Sequence, residues 1–249
     1  MNDPFADLSA ALELTHDSTP DAPLRLDFDR AIRTGIPEFV NGQHKSVDDI
    51  VSAISRLVRR NGRALVTRLS IEEANVVSGE LPSLNVVYHE DAGILIASGH
   101  EIDVPSSGGR VGVVSAGTSD RRVAREAQLI AEEVGCEVRL VMDVGIAGLH
   151  RLVAPLRDLM EWSPDVLVTA AGMDGALPSV IAGLVDVPVI GLPVSTGYGL
   201  GGDGTAALYS MLQSCAPGLT VVNIDNGVGA GSSAALIANR AAAERALNS

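Results

Sequence analysis

Sulfur is scarce in this chain: Cys136 and Cys215 are its only cysteines among 249 residues. Two thiols supply neither a disulfide framework nor a metal quartet. Aromatic residues are nearly as rare, at 3%, which leaves the core to Val, Ile, Leu and Ala. Positive charge is also short, with 18 Lys and Arg against 31 Asp and Glu and a net charge of −13. Such a surface repels nucleic acid and anionic membranes and excludes both as main partners. Backbone N–H groups and a few arginines still suffice to hold a small anionic ligand. No apolar run approaches the roughly 20 residues of a membrane span. The opening MNDPFADLSA lacks the charged-then-apolar pattern of a secretory signal. A cytoplasmic, soluble protein is expected.

Glycine is plentiful, at 26 residues, and 46% of the chain is apolar. That mixture favours α/β architecture with many short loops. Residues 1–25 carry Asp, Pro, Ser and Thr without apolar periodicity, which predicts a disordered leader. Residues 26–106 read as a small N-terminal α+β domain. Within it Val47 to Val58 places its apolar residues on one helical face, with Ser46 as the N-cap. ALVTR (64–68), LNVVYH and GILIAS read as strands, and IEEANVVSG as a short helix. The Pro, Ser and Gly of VPSSGGR (104–110) mark the boundary.

From 107 to 249 strands and helices alternate. Strands VGVVSAG, EVRLVMDV, DVLVTAAG, PVIGLP and GLTVVNID are separated by helical stretches, and an Ala-rich helix over about 232–247 closes the chain. Strands that are apolar throughout predict a parallel sheet covered on both faces, a three-layer doubly wound domain. Sheets of this kind bind ligands beyond the carboxyl ends of their strands. Five glycine-rich loops fall there, and they supply the candidate residues. SAGTSD holds Ser115, Gly117, Thr118, Ser119 and Asp120; DVGIAGLH holds His150; AAGMDGALP holds Gly172, Met173, Asp174 and Gly175. PVSTGYGLGGDG is the fourth, and NIDNGVGAG holds Asn223, Asp225, Asn226 and Gly227. Each has a structural reading beside the functional one. Asp120 and Asp174 suit helix N-caps, His150 suits a cap, and the Asn and Asp of NIDN are good turn formers. Cys136 lies between helix and strand and reads as a small core residue. Cys215, in MLQSCAPG, follows a helix C-terminus, whose dipole disfavours a thiolate.

These motifs in order resemble the LarB family, the pyridinium-3,5-biscarboxylic acid mononucleotide synthases, from about residue 27 to 232. The resemblance rests on RAIRTGIPEFVNG, Lys45 and VTR in the first unit. In the second it rests on VGVVSAGTSD, DVGIAGLHRL, AAGMDGALPSVIAGLVDVPVIGLPVSTGYG, MLQSCAPG and VVNIDNGVGAG. The second unit also resembles aminoimidazole ribonucleotide carboxylase. The family resemblance implies carboxylation of nicotinic acid adenine dinucleotide at C5 of its pyridinium ring with CO2 or bicarbonate, and release of AMP. It implies Cys215 as the nucleophile and Asp174 as the assisting acid, where the family has glutamate. It further suggests a homo-oligomer of octameric form, and Mg2+ is the expected cofactor. Arg33, Lys45 and Arg68 read either as cations for the adenylate half or as solvated surface charges. Metal ligands are not assignable by spacing. Two other activities compete. An aminoimidazole ribonucleotide carboxylase or mutase would need a histidine that GMDGALPS lacks. A nucleotide-binding regulator of the same fold needs no catalytic residue.

Overall fold

A computed structural model describes residues 24–99 and 104–248. Of the leader expected over 1–25, residues 1–23 lie outside the described residues. The described chain falls into two compact units on either side of residues 100–103.

In the first unit a short helix, α1 (Arg30–Thr34), precedes strand β1 (Phe39–Asn41). Ser46 then caps α2 (Val47–Asn61), accepting the Asp49 N–H at 3.1 Å. Ile50, Ile54 and Leu57 of α2 are buried against the sheet, so the apolar face read from the sequence is the packed one. Strand β2 (Arg63–Thr67) follows, then α3 (Ile71–Gly79), fixed at its start by a reciprocal Ser70–Glu73 capping box. β3 (Asn85–His89) and β4 (Ile94–Ser98) complete a mixed sheet of order β1-β2-β4-β3.

The second unit is an all-parallel sheet of order β6-β5-β7-β8-β9. Its strands are β5 (Arg110–Ser115), β6 (Glu137–Val141), β7 (Val166–Ala171), β8 (Val189–Pro193) and β9 (Leu219–Val221). The helices between them are α4 (Arg121–Glu132), α5 (His150–Glu161), α6 (Leu177–Ala182) and α7 (Thr205–Leu212), and α8 (Gly227–Leu247) ends the chain. The three-layer doubly wound reading is therefore correct. α4 and α8 cover one face through a core of Ala and Val. α5, α6 and α7 cover the other through larger Leu, Ile and Met side chains. The chain leaves β5 toward β6 on one side, while β7, β8 and β9 lie on the other. The direction of winding thus reverses between β5 and β7, the place where such sheets open a crevice.

One boundary differs from expectation. The last helix begins at Gly227 rather than near 232, and β9 stops at Val221. The glycines of NIDNGVGAG are helical because α8 presses on α4. A Cβ on Gly231 would lie 2.4 Å from the Ala127 carbonyl oxygen, and one on Gly227 would lie 2.5 Å from the Glu126 carboxylate. Small residues are needed there for contact between helices, and that need is invisible in a linear pattern.

Candidate active site

At the reversal point, the ends of β5 and β7 part over a cavity of about 240 Å³. The loops after β5, β6, β7 and β8 all contribute to its lining. After β5 the chain turns through Gly117 and a short 3-10 turn, Thr118–Asp120, into α4. Asp120 is buried at 3% exposure. Its carboxylate accepts the Gly117 N–H at 2.8 Å and the Thr196 hydroxyl at 2.8 Å. Burial raises its pKa above the ordinary carboxylate range. The hydrogen bonds from Thr196, Gly117 and Gly172 oppose that shift, and the charge of Asp225 adds to it. Asp120 therefore ties the loop after β5 to the loop after β8 and forms the polar floor of the cavity.

The loop after β7 brings Gly172, Met173 and Asp174 to the rim. Gly172 admits no side chain, because a Cβ would lie 2.2 Å from the Thr196 carbonyl oxygen. Met173 holds a left-handed φ of 53°, a strained conformation for a non-glycine residue. Asp174 is exposed, and its one hydrogen bond is a long contact of 3.4 Å from the Ala176 N–H. The capping alternative for Asp174 is thus weak, and its carboxylate faces the cavity open. The β6–α5 loop adds Gly145, Ile146, Ala147 and Arg151. Arg151 is the cation of the lining, and it pairs with exposed Asp143 at 2.9 Å.

Of the predicted residues, the fold gathers Gly117, Ser119, Asp120, Gly172, Met173 and Asp174 around this one cavity. The others of the second unit lie outside its lining. Ser115 is fully buried beneath, and Thr118 points to solvent. His150 is exposed at the first turn of α5, outside the lining. Gly175 packs on Ala207 of α7. In the NIDN string, Asn226 caps α8 by accepting the Gly229 N–H at 2.8 Å, Gly227 serves the α4 contact, Asp225 accepts the Ser195 N–H, and Asn223 is exposed. None of the four lines the cavity. In the first unit, Arg33 donates to both carboxylate oxygens of Asp27, which raises its pKa. Lys45 and Arg68 share the carboxyl end of β1 and β2, where Arg68 donates to Gln43 at 3.2 Å.

Cys215 is the main departure. It precedes β9, and the Gly218 carbonyl accepts the N–H of Val189, the first residue of β8. The thiol thus belongs to the amino end of the sheet, and Asp174 to the carboxyl end. Four strand steps, about 13 Å, separate those ends. The Cys215 loop is anchored by a 2.8 Å hydrogen bond between Ser214 and Ser179 of α6. The expectation that the thiol opens at the mouth of the sheet is not met within one chain. The reason is topological: a residue between a helix and the next parallel strand lies at the amino edge. Cys215 is nonetheless exposed, whereas Cys136 is buried and its thiol is pushed up to about 11, chiefly by burial.

The sequence reading missed Arg151 and Thr196. Both lie in quoted motifs, DVGIAGLHRL and PVSTGYG, and an arginine or threonine just past an expected strand end was the available signal. The Mg2+ expectation finds no group of three or more His, Cys, Asp or Glu placed to hold a metal among the described residues.

With this geometry in view, the family assignment is direct. A model of the AIR carboxylase family matches residues 110–248, and one of the LarB/PurE-like N-terminal domain matches residues 22–99. The chain belongs to the LarB family. An uncharacterised protein of Methanocaldococcus jannaschii is 46% identical over 220 residues, covering 86% of this chain and 84% of that one. The N5-carboxyaminoimidazole ribonucleotide mutase of the same organism is 32% identical over 127 residues, covering 51% of this chain and 74% of that one. The mutase of Thermotoga maritima is 31% identical over 131 residues, with 51% and 74% covered. The LarB-family chain therefore joins an AIR-carboxylase domain to a LarB/PurE-like N-terminal domain. Among its described residues no helix is long and apolar enough to cross a membrane.

Proposed function

We propose that this LarB-family enzyme carboxylates the pyridinium ring of nicotinic acid adenine dinucleotide at C5 and hydrolyses the phosphoanhydride, releasing AMP. The observation that carries the reading is the open carboxylate of Asp174 in a cavity at the reversal point of an AIR-carboxylase sheet. A pyridinium ring is electron-poor and does not attack CO2. A thiolate adding to C4 forms a C–S bond and a dihydropyridine, whose enamine carbon C5 bonds to CO2. A base takes the C5 proton, the C–S bond breaks, and the thiolate leaves as the ring regains aromaticity. Asp174 is the base, Cys215 the thiolate, and CO2 the second substrate. Arg151 and Ser119 suit the ribose phosphate, beside the N-terminus of α4. Hydrolysis adds water across the P–O–P bridge, so that one phosphate leaves with AMP and the other stays on the dicarboxylated mononucleotide.

A cavity of about 240 Å³ falls below the roughly 300–1,000 Å³ of complete ligand pockets. One chain therefore holds the mononucleotide half, and a second copy of the chain completes the site by presenting its Cys215 loop. Exposed Tyr209 and Leu212 next to that loop, and exposed Ile146 and Met173 in the cavity lining, are apolar surfaces suited to such a contact. An octamer is the assembly we propose. Contact between unlike surfaces closes into rings. The related mutases suggest a second reading, but no histidine lines the cavity, which disfavours it.

The test is to incubate the protein with bicarbonate and nicotinic acid adenine dinucleotide and to separate the products. AMP and a dicarboxylated mononucleotide are expected, and intact dinucleotide after long incubation rejects the reading. Mixing inactive Cys215→Ala and Asp174→Asn chains, with subunit exchange, restores about a quarter of the activity if sites are shared between copies.

A further inference from the structure

Tyr198 and Leu200 are the two most exposed large apolar side chains of the second unit among the described residues, at 82% and 111%. Both sit in the β8–α7 connection, TGYGLGGDG, residues 196–204. The root of that connection is part of the cavity. The Thr196 carbonyl accepts the Met173 N–H at 3.3 Å, and the Thr196 hydroxyl holds Asp120. At Gly197 a Cβ would lie 3.3 Å from the Met173 sulfur. The backbone therefore runs along the rim beside Met173, and Tyr198 is the next residue. Gly199, between the two exposed side chains, has φ 81° and nothing within 4 Å of where a Cβ would stand. Space is open on that side of the turn, while Gly201 and Gly202 at its other end pack against Ala206 and Tyr198. The cavity lining itself contains no aromatic side chain.

We infer that Tyr198 is the ring-recognition residue of this site. Its phenol folds over the cavity mouth and stacks on the planar cationic ring, with Leu200 covering the ring edge. The inference rests on the pyridinium reading above. Leaving two large apolar side chains in water beside a cavity is unfavourable, and a flat ligand at the rim relieves it. The electron-rich face of tyrosine favours a cation over a neutral ring. A nucleophile that adds to one face of the ring also needs the other face supported, and the larger apolar side chains of the lining, Ile146, Met173 and Leu177, are not planar.

The experiment is a titration of Tyr198→Trp with nicotinic acid adenine dinucleotide. Quenched tryptophan emission and a long-wavelength charge-transfer shoulder are expected, with neither seen in the wild-type chain, whose one tryptophan, Trp162, bonds Glu137 at the amino end of the sheet. By calorimetry, Tyr198→Ala weakens binding by about 2- to 30-fold, with a smaller loss for the reduced, uncharged ring. Binding to Tyr198→Trp without quenching overturns this inference alone. So does a Tyr198→Ala chain that changes oligomeric state but keeps its affinity, since the residue then belongs to a subunit contact. No binding to the wild-type chain overturns both this inference and the function on which it rests.

Discussion

The two ends of the parallel sheet treat polar groups in opposite ways. At the carboxyl end, four connections leave an open carboxylate on Asp174, a cation on Arg151 and a buried acid at Asp120 around one cavity. At the amino end, polar groups are tied down. Asp165 accepts the Arg110 N–H at 2.8 Å and pairs with Arg245. Buried Cys136 donates to Asn239 at 3.1 Å, and Asn239 in turn donates to the Val134 carbonyl. The exception is Cys215, an exposed thiol at the closed end. One end is arranged for chemistry and the other for stability. An exposed sulfur at the stable end fits the proposal that it serves the open end of a different copy.

The largest effect expected is at the exception. Cys215→Ala abolishes formation of the dicarboxylated mononucleotide, measured by chromatography, while Cys136→Ala retains it. Equal activity in the two variants erases the distinction between the thiols. Next, Asp174→Asn lowers kcat by about 10²–10⁴-fold, as for loss of a general base, and Asp174→Glu retains activity. Full activity in the asparagine chain removes the carboxylate from the mechanism. At the packed layer, Gly231→Ala pushes α8 off α4 and costs about 1–3 kcal/mol of stability by denaturant titration. An unchanged midpoint would show that the close approach at Ala127 is dispensable.

Smaller effects separate the ends further. Iodoacetamide at neutral pH modifies one thiol in the native chain and two after unfolding, read by mass spectrometry, because Cys136 is buried with its thiol near 11. Two rapid modifications in the native state contradict that burial. Last, the folded pKa of Asp120 lies above its unfolded value of about 3.9, so the native state holds the proton more tightly. The stability this contributes is full below about pH 4 and is lost as pH rises through the folded value. Asp120→Asn removes that slope, and thermal melts from pH 3 to 7 that keep it place the titration on another group.

Much of the second unit was legible because its signals are local. β5, β7 and β8 are rich in Val, Leu, Ile and Ala, with a glycine-bearing loop after each, and a run buried on both faces reads the same in sequence and in space. The carboxyl-edge rule then located Gly117, Asp120, Gly172 and Asp174 before any coordinates. It does not show where a residue is committed to a cap or to contact between helices. Asn226 and Gly227 follow a strand, as ligand residues do, yet one caps α8 and the other makes room for Glu126. Thr196 gave no sign that its hydroxyl would be spent on Asp120, 76 positions away.

The residues in their order determined the elements, the parallel sheet and the family motifs, because periodicity, caps and turn chemistry act over a few positions. Tertiary structure decided which loops share a cavity, which carboxylate is buried and which is open, and on which edge the thiol stands. Those outcomes depend on strand order and helix contact, which join residues that have no local reason to meet.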